Sequence, residues 1–275
     1  MKIITLVENH EDKSNPSLKA EHGVSFYIEI GDHVYMSDVG QSGNFADNAV
    51  KLDVDLSQVE ALAISHYHYD HGGGSGRFFQ ENKKAAIFLR RSIEAEYLAV
   101  DDPESIRYIG IDRGLLKQHA DRIIYVDNNQ EVAPGFHLLT DIPGKYPKPH
   151  GDERLKMRFK GETKPDTFQH EMVTIVEDEK GIVILTGCAH NGVLNMIAAA
   201  QNAFPSKPIR AVIGGFHLNR EDDETVWEIG EKLLELDIPK IVTGHCTGDH
   251  ATEVLGKVLG DRLQGLYSGL VMTFK

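Results

Sequence analysis

Short apolar runs punctuate the chain, and several of them end at a glycine beside a histidine. Residues 2–7 read as an opening strand, and the polar stretch 8–21, with Asn15-Pro16, predicts a surface loop. Residues 24–30 and 33–37 flank Gly31-Asp32 and predict a hairpin. A short helix is expected over 44–50, a strand over 60–65, a helix over 74–80 and a buried strand over 85–89. Residues 90–165 are the least patterned. Short helices are expected at 92–100 and 113–119, strands at 123–126 and 136–140, and no regular structure over the breaker-rich 142–149. The pattern then sharpens. Residues 171–176 and 181–186 form a second hairpin, and 191–203 a helix with Val193, Ile197 and Ala200 on one face. A strand at 209–213 precedes an amphipathic helix over 222–236, with Val226, Ile229, Leu233 and Leu236 along one stripe and an acidic first turn. A strand at 240–243, a helix at 249–259 and a closing strand at 266–274 complete the chain. This alternation of strands and helices predicts a layered α/β fold.

Composition changes the picture little. The 275 residues are ample for a sizeable core, and 41% hydrophobic with 26% charged residues is the profile of a soluble globular protein. A formal net charge of −13 argues against nucleic acid as a partner. Two cysteines, Cys188 and Cys246, exclude a disulfide scaffold and point to a reducing, cytoplasmic home. Residues 1–8 are too short and too soon charged for a signal peptide, and no run approaches the ~20 apolar residues of a membrane helix. Oligomeric state is not readable from the pattern.

The chemistry sits at the strand ends. The apolar run 61–64 leads into Ser65-His-Tyr-His-Tyr-Asp-His71, followed by three glycines. Imidazole and carboxylate are the donors that suit zinc, and also iron or manganese. On an extended backbone His66 and His68 point the same way. Asp70 and His71 follow after the chain has begun to turn and can face a second point roughly 3.5–4 Å from the first, the spacing of two-metal sites. The glycines are expected to adopt backbone conformations that other residues resist. Later strands end at Gly187-Cys188-Ala-His190, Gly214-Gly-Phe-His217 and Gly244-His245-Cys246. The expected assignment is His66, His68 and His190 on one divalent ion, and Asp70, His71 and His245 on the other. His217 is expected as a substrate contact or proton donor. No Gly-x-Ser-x-Gly motif or dinucleotide fingerprint competes.

The spacing His66-x-His68-x-Asp70-His71 after a short strand resembles the HxHxDH signature of the metallo-β-lactamase superfamily. Residues 21–25, 37–42, 186–190, 214–218 and 243–248 together resemble the subgroup that contains the archaeal dihydropterin ribofuranosyl-aminobenzene phosphate synthase. The resemblance implies one α/β (α+β) domain over 1–275: a four-layer αββα sandwich, two mixed sheets face to face with helices outside, with a variable insertion at about 90–165 near the active site. It places Asp38 where it orients a ligand, the alternative being a turn or cap residue, and brings His22 near the site, the alternative being a solvated loop histidine. Many relatives carry a bridging aspartate where this chain has Gly187-Cys188, so the Cys188 thiol either binds metal or lies beside it. His170 is the alternative to His190 as the histidine of the superfamily's third motif.

The implied activity is metal-assisted hydrolysis of a small anionic ester, most naturally a phosphoester or phosphodiester, with two divalent ions, zinc first. Asp70 would orient the attacking water or take its proton. A synthase-like transferase and a non-catalytic or redox metal protein are the rivals. The redox version is disfavoured because the oxygen-reducing di-iron relatives have a glutamate where His68 stands. Between 144 and 164 seven Lys or Arg face three acids, a local balance of +4. It reads either as a loop over the site that recruits an anion or as a solvated loop with an amphipathic edge strand at 154–159.

Overall fold

Alternation along the strands sets the layers. In the computed structural model, which describes residues 1–102 and 105–275, Phe26 and Ile28 turn to one face of their strand and Tyr27 to the other. The same division runs through the neighbouring strands. Ile3, Tyr35, Ala63 and Phe88 join Phe26, while Ile4, Met36, Leu62 and Ile87 join Tyr27. The first sheet has seven strands in the order Val271–Thr273, Lys2–Val7, Ser25–Ile30, His33–Ser37, Ala61–Ile64, Ala86–Arg90, Ile123–Val126. The second also has seven: Leu263–Gly265, Ile241–Thr243, Ile209–Gly214, Gly181–Leu185, Val173–Asp178, Phe136–Leu139, Gln130–Ala133. Their inner faces meet in one core, where Phe26, Tyr35 and Phe88 pack with Phe136, Val183 and Ile213. Outside the first sheet lie the helices Asn44–Lys51 and Ser75–Glu81, through Phe45, Ala49 and Phe78. Outside the second lie Val193–Ala203, Asp223–Glu235 and Asp249–Leu259, through Ile197, Leu233 and Leu255. This is the expected αββα arrangement.

A third, four-stranded sheet stands apart from both: Glu162–Pro165, Leu155–Phe159, Glu96–Asp102, Ser105–Tyr108. It overturns the helix expected at 92–100. Ala95, Tyr97 and Ala99 are buried at a spacing of two, and Tyr97 and Ala99 pair with Met157 and Leu155. A partner strand some 55–60 positions away outweighs the local helix preference of Glu and Ala. Nor is 154–159 an edge strand, since Leu155–Phe159 is paired on both sides. The closing strand is shorter than expected. The chain leaves the second sheet after Gly265 and turns at Gly269, whose φ is +95°, before pairing Val271–Thr273 with the first sheet. The 8–21 loop is only partly at the surface: Glu8 is wholly buried and Glu21 accepts from the amides of Gln41 and Ser42.

What positions the site is the run of parallel strands. Gly181–Leu185, Ile209–Gly214 and Ile241–Thr243 are adjacent and parallel, with Leu185 opposite Ile213 and Gly214 opposite Thr243. Their carboxyl ends therefore emerge side by side. Across the sandwich, Ala61–Ile64 ends at the same edge, and Met172 N–H donates to Ser65 O at 2.9 Å. Among the described residues no helix is long and apolar enough to cross a membrane.

The helix Asp223–Glu235 is started by Asp222, whose carboxylate accepts the Thr225 N–H at 2.8 Å. Asp222→Ala is expected to lower the midpoint of urea denaturation. Urea denaturation reads this directly, and an unchanged midpoint would show that the cap contributes nothing.

Candidate metal centre

After the Ala61–Ile64 strand the chain bends at His66 and Tyr67, is extended at His68, and then closes into the single helical turn Tyr69–Gly72, which carries Asp70 and His71. The glycines that follow serve a different purpose from the one expected. Gly73 and Gly74 have ordinary helical dihedrals, with φ of −64° and −70°. A Cβ on Gly74 would lie 2.1 Å from Val39 O, and one on Gly73 2.4 Å from Gln41 O. They are needed for close backbone approach, which brings the 38–42 loop against the motif.

Two donor clusters result. His66, His68 and His190 form one, with donor atoms within 4.8 Å of each other. Asp70, His71, Cys188 and His245 form the other, at the same spacing. Cys188 lies at the seam, 3.0 Å from His71 Nε2 and 3.4 Å from His245 Nε2, and it also groups with His190 and His217. His170 does not share the first cluster with His66. It lies against His68, bonded to Tyr67 N and Asp166.

The residues suit a divalent ion. His190 Nε2 is buried with no hydrogen-bond partner, and His68 Nδ1 faces His66 Nε2 at 3.0 Å. Burial drives the pKa of His66 and His190 well below the usual imidazole range, reinforced by their histidine neighbours, and takes His68 down to about 3. Such rings are neutral and offer lone pairs, as metal ligation requires. His71 differs. Burial pulls its pKa down, but Asp38 and Asp70 raise it to about 9, so an ion there displaces a proton. Burial likewise pushes the Cys188 thiol up, and a cation is what would hold it as thiolate. Asp70 stays ionised because His71, His22 and His245 outweigh its burial.

Oxygen acceptors set the ring orientations. His71 Nδ1 is 2.8 Å from Asp38 Oδ2, His190 Nδ1 2.6 Å from Asp152 Oδ1, and His245 Nδ1 2.9 Å from Asn9 Oδ1. Each Nδ1–H is thereby donated outward, and each Nε2 is left for the cluster. Asp38 also accepts from Ser65 N at 2.7 Å and Ser65 Oγ at 2.8 Å, so it braces the motif's backbone as well as a ring. The roles of Asp152 and Asn9 are not legible in the sequence. Asp152 is one of three acids in a basic stretch, Asn9 lies in a polar loop, and neither has a spacing that marks it.

The remaining candidates are also drawn in. His22 is half-exposed at the rim, with Nε2 3.3 Å from Asp70 Oδ2. His217 is buried at φ +53°, its ring 4.4 Å from that of His190 and Nε2 3.4 Å from Asp152 Oδ1. These residues line a narrow cavity of about 70 Å³ with Cys188, Arg107 and Arg154. Arg154 alone of the seven basic residues at 145–164 is among the cavity's described lining residues. Its Nη1 is tied to Asp101 at 2.8 Å, and its Nε is buried without a partner. A larger cavity of about 420 Å³, between the 146–150 loop and the helix Asp223–Glu235, contains none of the metal-ligand candidates.

Known proteins share the family and the fold. The sequence model of the metallo-beta-lactamase superfamily matches residues 18–245. The chain is 26% identical, over all of its length and 97% of the relative's, to the 7,8-dihydropterin-6-methyl-4-(beta-D-ribofuranosyl)-aminobenzene-5'-phosphate synthase of Methanocaldococcus jannaschii. Among solved structures it is similar to a metal-dependent hydrolase of the beta-lactamase superfamily, with a TM-score of 0.84 at 26% identity over 100% of this chain and 99% of the other. Zinc-bound PqqB of Methylobacterium extorquens has the same fold, with a TM-score of 0.58 at 12% identity over the whole of both chains.

The outer support of His245 titrates. Buried Glu8 accepts from His245 N and His10 N, and His10 bridges Glu8 and Asp249 at 2.9 and 2.8 Å. The Glu8 hydrogen bond, against some burial, raises the pKa of His10 to about 9 from 6.5. A pKa raised on folding gives stability that is complete below the unfolded value and lost as pH rises through the folded one. The stability advantage of wild type over His10→Gln should thus be larger at pH 6 than above pH 9. Denaturation at both pH values tests this, and an equal advantage at both would refute it.

Proposed function

The chain belongs to the metallo-beta-lactamase superfamily, and on that basis we propose that it is a metal-dependent hydrolase of a small anionic ester, a phosphoester or phosphodiester. The observation that carries the reading is the pair of donor clusters meeting at Cys188 on the wall of a cavity that Arg154 and Arg107 also line. His66, His68 and His190 would hold one ion. Asp70, His71 and His245 would hold the other, with Cys188 between them. Zinc suits this set best, with iron and manganese as competitors. When bound, two such ions supply Lewis acidity and lower the pKa of a water towards neutrality.

The chain's own residues do the rest. Asp70, held by His22 and His245, orients the attacking water and takes its proton. His217, beside Asp152, donates to the leaving oxygen or contacts the substrate. Arg154, steadied by Asp101, offers its free N–H to a phosphate oxygen. We take the enzyme to be cytoplasmic, to act on a small anionic substrate, and to have neither nucleic acid nor membrane as a partner. On this reading 1–275 is one catalytic domain, and the third sheet is its variable insertion.

A second reading has its own support. The match to the archaeal synthase spans nearly both chains, so a transferase joining phosphate-bearing substrates in the same cavity is the alternative.

Protein purified without added metal should contain about two divalent ions per chain. It should hydrolyse bis(p-nitrophenyl) phosphate, and His68→Ala should lower kcat/KM by on the order of a hundredfold. Bound metal without turnover of phosphodiesters, monoesters or lactones would favour the transferase. Protein that takes up no metal even on reconstitution would sink both. Arg154→Gln should raise KM for anionic esters about tenfold, some 1.4 kcal/mol, with kcat nearly kept. An unchanged KM would remove Arg154 from substrate binding.

A further inference from the structure

Against His68 lies a buried pair that the proposed chemistry does not use. The side chains of Asp166 and His170 are 1% and 2% exposed, with His170 Nε2 3.0 Å from Asp166 Oδ2. The Tyr67 N–H donates to His170 Nδ1 at 3.2 Å. Nδ1 is therefore the bare nitrogen, and Nε2 carries the hydrogen that Asp166 accepts. Asp166 Oδ1 accepts the Phe168 N–H at 2.8 Å, and the carboxyl stays ionised because His170 outweighs its burial. Donor atoms of His68, Asp166 and His170 all lie within 4.8 Å of one another.

This group does not have the makings of a third metal site. Both nitrogens of His170 are already committed, one to an amide and one to a carboxylate. What it does touch is the motif itself. The amide that His170 holds is that of Tyr67, the residue between His66 and His68. On the other side, His68 Nδ1 is 3.0 Å from His66 Nε2, while its Nε2 is buried without a partner. A buried carboxylate this close favours the hydrogen on the ring nitrogen away from His66, which leaves the Nδ1 lone pair facing the first cluster. The pair also lines a separate cavity of about 310 Å³ with Arg91, Tyr97 and Gln169, none of which lines the cavity at the metal centre.

We propose that Asp166 and His170 are positioning residues for the first metal ion: His170 clamps the peptide that spaces His66 from His68, and Asp166 fixes the His68 ring. The inference rests on the two-metal reading. It differs from that reading in predicting that the two ions respond unequally to changes made outside both donor clusters.

The test uses the full-length protein loaded with zinc or cobalt(II), comparing wild type with His170→Ala, His170→Asn and Asp166→Asn. Competition with a chelator should show one ion held about ten- to a hundredfold more weakly in His170→Ala, and the other unchanged. The visible cobalt spectrum should change for one ion's contribution only. His170→Asn should recover part of the affinity, because its side-chain oxygen can accept the Tyr67 N–H. Asp166→Asn, nearly the same shape, should weaken the same ion and lower kcat on bis(p-nitrophenyl) phosphate with KM little changed. Wild-type affinity for both ions and an unaltered cobalt spectrum in folded Asp166→Asn and His170→Asn would overturn the proposal, whether or not His170→Ala folds. Wild type that binds no ion at all would overturn the two-metal reading and this inference with it.

Discussion

A buried imidazole that is to hold a cation must be neutral, and its lone pair must point in a fixed direction. Much of the structure around the strand ends answers those two demands. Burial supplies the first, keeping His66, His68 and His190 unprotonated. Oxygen acceptors supply the second: Asp38, Asp152 and Asn9 each take an Nδ1–H and turn an Nε2 inward. The supports come from three regions of the chain, so the sandwich must be assembled before any ring is held. The order of cause runs from sheet topology, through converging strand ends, to the tautomers of individual histidines.

That order explains what the sequence reveals. The strands at 181–185, 209–214 and 241–243 are short apolar runs closed by glycine, and each carries its histidine within a few positions of its end. Both the layered fold and the ligand candidates could therefore be read locally. His66, His68, His190, Asp70, His71 and His245 are brought together as expected, and Cys188 falls where the two clusters meet. Of the supports, Asp38 is expected from the family resemblance, but Asn9 and Asp152 could not be read in the same way. Asn9 reaches His245 across 236 positions and Asp152 reaches His190 across 38. Nothing in a polar loop distinguishes an asparagine that faces solvent from one that holds a ring.

The misread stretch at 92–100 has a related cause. Its glutamates and alanines favour a helix locally, but Tyr97 and Ala99 acquire strand partners at 157 and 155. The same pairing makes a hairpin, paired on both sides of Leu155–Phe159, of a basic segment that read as a loop over the site or a solvated loop with an edge strand. It leaves most of its cations on the outside and carries Arg154 to the cavity. The net positive charge was legible; which one of the seven side chains lines the cavity was not.

The site draws on both extremes of the chain. Residues 8 and 9 brace His245, and Lys2 pairs with Thr273 to close the first sheet. During synthesis, the HxHxDH segment emerges long before the strand that carries His245, and its early histidines have neither burial nor acceptors to set them. The centre is therefore a late product of folding, formed when the last strands dock. Any ion would therefore meet a complete donor set only in the assembled sandwich, and not in the emerging chain.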